Sequence, residues 1–353
     1  MDNSVLIQIE TLGAKVYFFG ECVWATLLKV KSYHIKIAII GGNKRDILTV
    51  LPGFIISDHQ AKTYRVWEDD HTLYEFYFLD DIQQIPLDPI SINNSILSLD
   101  GKIYREEGLL NKIISIDKSV FLDHPEEMLR ICRISAQSGY KIDVPTWTEI
   151  LKNNRLIKNK LGFVKHEIFR IIMSDHPDIG LTLLYELGLL RFIFPELDRC
   201  NEIAQTRRGM SVNVFTHTLL ALKASEQTEL IRWTILFHDM AKPLTMEITE
   251  DGKMHFFKHE FTGATLAEHY MKQMRLDDKL IRNVKNLIEN HMFDADPKLT
   301  QKGVRRLIRR VGKDLIFELL KVREADRNGS PTPPSGNKIE LLRQKIILEY
   351  NNV

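Results

Sequence analysis

The hydrophobic period of the chain changes once, near Asp117, and that change constrains the fold more than any other feature of its 353 residues. Before it, Val16–Phe19, Ile35–Ile40, Thr63–Trp67 and Leu73–Phe78 are short runs rich in β-branched and aromatic side chains, broken by Gly, Asp and Pro. Runs of this kind suit the strands of a small sheet with one or two helices beside it. After it, the apolar positions in Met128–Ser135 and Leu181–Leu190 recur at three and four residues, which puts them on one face of a helix. Gly139 with Pro145, Gly188 with Pro195, Pro243 and Pro297 divide the helices, and Ser330–Gly336 reads as a loop before a last helix from Lys338 to about Tyr350. The expected fold class is α+β. A small mixed domain over 1–117 precedes a mostly helical region, itself divided into 118–198 and 199–353.

A chain of this length with 44% hydrophobic content can bury two or three full cores. Its three cysteines, Cys22, Cys132 and Cys200, are widely separated and form no CxxC pair, which argues against a disulfide framework and a thiolate zinc site. A reducing, cytoplasmic setting is expected. The first 30 residues mix acidic and basic groups with apolar ones, and no later stretch approaches the roughly 20 apolar residues of a membrane span. Neither export nor membrane insertion is expected. A formal net charge of +1 leaves any nucleic-acid affinity to local patches.

The chemistry-bearing stretch is Leu236–Pro243, where the adjacent pair His238-Asp239 closes an apolar run. A metal site, a phosphate-binding pair and a structural pair are all open for a lone His-Asp. Context favours metal. His217 starts a helix about one helix-turn-helix unit upstream, so it can face the pair across an antiparallel packing. His259, His291 and Asp326 lie at or within later helical runs. Imidazole and carboxylate donors suit a divalent Mg, Mn, Ni, Co, Fe or Zn ion, and ligands from several helices are a familiar way to build such a centre. His255, His269 and His176 read as surface or cap histidines.

These residues resemble the H…HD…D signature of the HD phosphohydrolase superfamily. Ala241-Lys242-Pro243, Lys258–Ala264 and Glu289-Asn290-His291 are similar to the version attached to bacterial tRNA nucleotidyltransferases and poly(A) polymerase-like proteins. So are Phe121–Arg133, against F-x-x-D-P-x-R-x-L-R-x-x-R, and Tyr185–Leu197, against E-L-G-L-L…P-E-L. The resemblance spans about Gly13 to Arg327. It implies a nucleotidyltransferase-like domain, a nucleotide- or RNA-binding helical linker, and an HD-type bundle. It further implies a metal held by His217, His238, Asp239 and Asp326; His259 and His291 are candidates to hold a second ion that Asp239 would bridge, to bind the phosphate, or only to hydrogen-bond the ligands of the first ion.

The nucleotidyltransferase motifs are degenerate. Nucleotidyl transfer needs a Gly-rich turn and two carboxylates spaced D-x-D to hold two Mg²⁺ ions. Where the resembled family has G-G-x-V-R-D, this chain has Gly20-Glu21-Cys22-Val23-Trp24-Ala25, and the following strand reads His34-Ile35-Lys36 instead of D-x-D. The family's R-R-D-F-T-I-N-A survives only as Leu87–Asn94, and Gly41–Asp46 offers a displaced Gly-Gly turn with no D-x-D strand after it.

Two functions follow as expectations. One is an HD-type, metal-dependent phosphohydrolase or phosphodiesterase acting on nucleotides or RNA-end phosphates, with Asp239 and Lys242 in catalytic roles and no nucleotide addition. The other is an inactive module that binds RNA, tRNA included, or a partner protein. Arg130 and Arg133, three apart on one helix, and the stripe Arg305, Arg306, Arg309 and Arg310 are candidate phosphate-binding groups.

Overall fold

The computed structural model describes residues 3–51, 56–58, 63–67, 72–117, 119–207, 210–250, 252, 254–293, 300–330 and 338–351. Pro297 and residues 331–336 of the loop expected over Ser330–Gly336 lie outside them. Contacts divide the chain into two compact units, 1–123 with 137–149, and 124–136 with 150–353. The three-part division expected from sequence is not how the contacts group. Residues 118–123 and 137–149 of the expected middle segment group with the first unit, and 124–136 with 150–198 group with the C-terminal helices.

In the first unit, β1 (Ala14–Phe19), β2 (His34–Gly41), β3 (Ile56–Asp58), β4 (Thr63–Trp67), β5 (Leu73–Leu79), β6 (Ile96–Ser98) and β7 (Ile103–Tyr104) form one sheet in the order β3-β4-β5-β2-β1-β6-β7. Only the β2–β5 pair is parallel, in a register that sets His34 opposite Leu73 and Lys36 opposite Glu75. Alternation along the strands feeds two cores. Val16, Ile37, Ile39 and Phe76 pack with Leu6, Ile9 and Ile47, which come from the helices Asn3–Thr11 and Lys44–Val50. Tyr17, Phe19, Ala38 and Ile96 pack with Ile85 on the other face.

Gly20 (φ 80°) turns the chain from β1 into the helix Glu21–Leu27, a backbone conformation that favours glycine. Trp24 is buried there and its Nε1 donates to Asn93 Oδ1 at 2.9 Å. An altered residue of one degenerate motif is thus bonded to the asparagine that the other retains. Gly41 and Gly42 lead instead into the helix Lys44–Val50, capped by Asn43, whose side chain accepts from the Arg45 N–H.

The second unit is helical, as the 3.6-residue pattern anticipates. Val214–Ala224 packs on Ile316–Asn328, and Asp278–Asn290 packs on both Glu229–Phe237 and His259–Gln273. Asn213, Asp277 and Thr300 cap their helices by accepting backbone N–H groups. The sequence reading missed short strands here. β8 (Ile113–Ile114) and β9 (Lys141–Ile142) pair within the first unit, while β10 (Ala204–Arg207) with β11 (Met210–Asn213), and β12 (Met246–Ile248) with β13 (Met254–Phe256), form two antiparallel pairs in the second. All three cysteines are buried and free. Among the described residues no helix is long and apolar enough to cross a membrane.

Candidate metal centre

The ligand candidates stand mostly at helix ends. His217 lies in the first turn of Val214–Ala224. His238 follows the last residue of Glu229–Phe237, and His291 follows Asp278–Asn290 in the same way. His259 opens its own helix after Lys258, whose φ is 60°, and Asp326 sits in the last turn of Ile316–Asn328. All of them are buried.

They gather into two groups that share Asp239: His217, His238, Asp239 and Asp326, and then Asp239, His259 and His291. Ligands at about 2.0–2.2 Å from one ion lie about 2.8–3.6 Å from their neighbours, the edges of an octahedron or tetrahedron. In the first group His217 Nε2 is 3.2 Å from His238 Nε2, 3.4 Å from Asp239 Oδ2 and 3.0 Å from Asp326 Oδ1. His238 Nε2 is 3.3 Å from Asp239 Oδ2 and 3.7 Å from Asp326 Oδ1. In the second group His259 Nε2 is 3.3 Å from Asp239 Oδ1 and 3.4 Å from His291 Nε2, which lies 3.8 Å from the same Oδ1. Each oxygen of Asp239 therefore faces one group, the geometry of a bridging carboxylate.

The Nδ1 atoms fix the rings. His217 Nδ1 is 2.5 Å from the Gly329 carbonyl, His238 Nδ1 2.7 Å from that of Ile235, His259 Nδ1 2.9 Å from that of Phe256, and His291 Nδ1 2.7 Å from that of Ile288. A carbonyl only accepts, so each Nδ1 carries a proton and each Nε2 is the nitrogen turned to the cluster, a donor to an ion once it carries no proton of its own. Asp326 is held from behind by Arg323, which donates to its Oδ2. Lys242 Nζ donates to Asp239 Oδ2 at 2.7 Å and lies 5.3 Å from the centroid of the Phe256 ring.

The electrostatics are those of a site built around positive charge. Burial alone would lower the pKa of His238, but Asp239 and Asp326 outweigh it and raise the imidazole to about 9. Burial would raise Asp239, yet His238 and Lys242 hold it well below the usual carboxylate range. Burial and then the His238 charge push His291 down to about 3, which leaves it a neutral donor.

Six of the expected ligands thus meet in one place, with Lys242 beside them. The candidate arginines differ in their surroundings. Arg133 is fully buried and its Nε donates to Glu167 at 2.5 Å, so it is engaged inside the protein and cannot present a fork to a dissolved phosphate. Arg130 is half-buried and pairs with Glu127, its neighbour three residues back. Arg305 pairs with Glu349 at 2.5 Å, whereas Arg309 is exposed opposite the buried Val304, Leu307 and Ile308. Sequence reasoning missed Arg323 and Gly329. The first stands three residues before Asp326 and was findable by helical spacing; the second had no local signal.

The HD domain family matches residues 211–328, the span that holds every one of these ligands. This part of the chain is an HD domain. Residues 139–201 match a second family, described as the probable RNA and SrmB-binding site of polymerase A. Among curated proteins the chain is 29% identical over 224 residues to the CC-adding tRNA nucleotidyltransferase of Thermus thermophilus, covering 60% of this chain and 50% of that protein. It is likewise 29% identical over 210 residues to the A-adding tRNA nucleotidyltransferase of Deinococcus radiodurans, covering 58% and 46%. The chain spans about half the length of the curated relatives it matches. The fold is that of the Bacillus stearothermophilus CCA-adding enzyme solved with CTP, with a TM-score of 0.65 at 16% identity over 98% of this chain and 81% of that one. A tRNA nucleotidyltransferase solved with a primer tRNA and an ATP analogue gives 0.59 at 15% identity, over 99% and 98%. The chain is therefore tRNA nucleotidyltransferase-like, with an HD domain in its C-terminal half.

Proposed function

We propose that the protein is a divalent-metal-dependent phosphohydrolase or phosphodiesterase that acts on nucleotides or RNA-end phosphates, such as 2′,3′-cyclic phosphates, in the cytoplasm. The observation that carries this reading is the pair of buried His/Asp groups sharing Asp239, with every Nε2 directed inward. Four imidazoles and two carboxylates at these spacings fit one or two ions of the Mn, Fe, Co, Ni or Zn class better than the oxygen-only sites Mg prefers. Once bound, such an ion polarises a phosphoryl oxygen and acidifies a water. His217, His238, Asp239 and Asp326 would hold it, with His259 and His291 completing the second position. Lys242, beside Asp239 at the edge of the cluster, places its ammonium to offset charge on the phosphate.

The test is metal analysis of the purified protein followed by hydrolysis of a generic phosphodiester with added Mn²⁺, Ni²⁺ or Co²⁺. His238→Ala should lose metal and hydrolysis together, by more than the roughly 10- to 100-fold seen when a supporting residue is removed. Full metal content and full rate in that variant would refute the assignment.

Nucleotide addition is a second reading, favoured by the names of the relatives. Against it stands the strand that carries His34 and Lys36, where paired carboxylates are needed. Glu75, on the neighbouring strand β5, is already bound by His34, Arg65 and Tyr77. We infer that this unit positions RNA or nucleotide without transferring a nucleotide.

A further inference from the structure

Within the HD domain, a cleft of about 230 Å³ runs between the helices His259–Gln273 and Asp278–Asn290 and the last turn of Gln301–Val311. No candidate metal ligand lines it. Phe261 follows His259 by two residues, which turns its side chain about 200° round the helix from that of the histidine. On the second helix Arg282, Lys285, Asn286 and Glu289 stand at i, i+3, i+4 and i+7, one stripe beside the buried Ile281, Val284, Leu287 and Ile288. Arg310 comes from the third helix, whose end is tied down by Asn286 Nδ2 donating to the Val311 carbonyl at 3.1 Å.

The lining combines cations, an aromatic face and one carboxylate. Lys285 is already paired with Glu268 at 2.5 Å. Arg282 and Arg310 are exposed, and neither pairs with a carboxylate among the described residues. Two such guanidinium groups at one cleft repel each other unless an anion joins them, and each presents a fork that fits two oxygens of a phosphate. Phe261 is 53% exposed and has no ring partner among the described residues. A planar ring laid on it would take that apolar face out of water and add stacking. Glu289 sets a negative charge in the same lining. It would repel a continuous phosphodiester strand, yet it can accept from the hydroxyls or amino group of a single nucleoside. The volume agrees, since it lies below the roughly 300–1,000 Å³ that encloses a drug-sized ligand.

The geometry points to a nucleoside monophosphate site in this cleft, with the phosphate between Arg282 and Arg310, the base on Phe261 and Glu289 towards the nucleoside. The site shares no residue with the metal centre and does not rest on the hydrolytic reading.

The experiment titrates the full chain with AMP, CMP, GMP and UMP by calorimetry, with and without EDTA, and with inorganic phosphate and the free nucleosides as partial probes. At least one monophosphate should bind equally well in EDTA, and more tightly than either phosphate or its own nucleoside. Arg282→Ala with Arg310→Ala should weaken it at least about tenfold, as loss of charge-assisted hydrogen bonds does. Phe261→Ala should weaken the nucleotide at least about fivefold, the low end of base–aromatic stacking, and leave phosphate binding unchanged. A control carrying Lys15→Ala and Lys223→Ala, which remove the same charge at exposed positions elsewhere, should match wild type. The substituted residues are all exposed, and thermal melts check that each variant is folded. Absence of binding by all four monophosphates, or binding that vanishes in EDTA, would overturn the inference. So would a nucleoside that binds as tightly as its monophosphate, or equal weakening in the control.

Discussion

Gly329→Ala should cripple the HD centre without replacing any candidate ligand. Gly329 has φ −67°, so alanine suffers no backbone strain there. The obstacle is space: a Cβ would lie 2.8 Å from His217 Cε1, 2.9 Å from its Nδ1 and 2.8 Å from Ala221 Cβ. Ordinary contact begins near 3.4 Å, so ring and backbone must separate by about 0.6 Å. Against a metal–nitrogen bond of about 2.0–2.1 Å, that displacement breaks or badly distorts the bond. The same shift disturbs the Nδ1 bond to the Gly329 carbonyl that holds the ring. We expect metal affinity to fall about 10- to 100-fold and stability by about 1–3 kcal/mol from overpacking. Gly263→Ala is the matched control. Its nearest neighbour is the His238 carbonyl at 3.5 Å, which a methyl tolerates, and in mid-helix the change should stabilise by about 0.5–1 kcal/mol. Metal titration by calorimetry, with thermal melts of both variants, reads the contrast. Wild-type metal affinity in Gly329→Ala would refute the argument that this glycine exists to seat His217.

Arg323→Ala should leave Asp326 free to turn away from His217, and metal affinity should drop about 10- to 100-fold, with Arg323→Lys recovering part of it in the same titration. Glu75 governs acid stability in the first unit: burial would raise its pKa, but hydrogen bonds from His34, Tyr77 and Arg65 outweigh burial and hold it at about 2, against 4.5 ordinarily. A carboxylate with a depressed pKa stabilises the fold above its unfolded value and loses that contribution as pH falls from 4.5 towards 2, here up to about 3 kcal/mol. Urea unfolding of the wild type and Glu75→Gln should therefore differ most at neutral pH and converge near pH 2; a constant gap would show that Glu75 acts by shape alone. Incubation with tRNA lacking its 3′ end, labelled CTP or ATP, and Mg²⁺ should give no incorporation, and turnover on the order of 1 per second would show that the strand bearing His34 and Lys36 is not the one to judge by.

Much of this was legible because it is local. The run Thr63–Trp67 became β4 with those bounds, and the last helix is Lys338–Tyr350 as its period required. The candidate metal ligands were legible because their residue types are unusual together. What failed was non-local. Arg133 shares a helix face with Arg130, yet that helix is buried on nearly every side and the partner of Arg133, Glu167, stands 34 residues away. The pairs β10–β11 and β12–β13 are short and mixed in polarity, so no period of two announces them, although β13 supplies the carbonyl that orients His259.

A common device underlies the centre, and it explains why the ligands cluster at helix ends. The last carbonyls of a helix have no intrahelical partner. Ile235 and Ile288 lie in the last turns of their helices, and each accepts from the histidine three residues on, His238 and His291. Gly329, just past the helix Ile316–Asn328, accepts from His217 across the packing. Carbonyls at or just past helix ends thus fix three of the four imidazoles, and each bond turns the opposite nitrogen inward. Asp239 then needs no helix of its own. Following His238 directly, it leaves the helix end between the two imidazole groups, and its two oxygens face one group each. The adjacency of His and Asp is therefore a geometric requirement: an intervening residue would turn the carboxylate by about 100° about the helix axis and separate the two groups it joins.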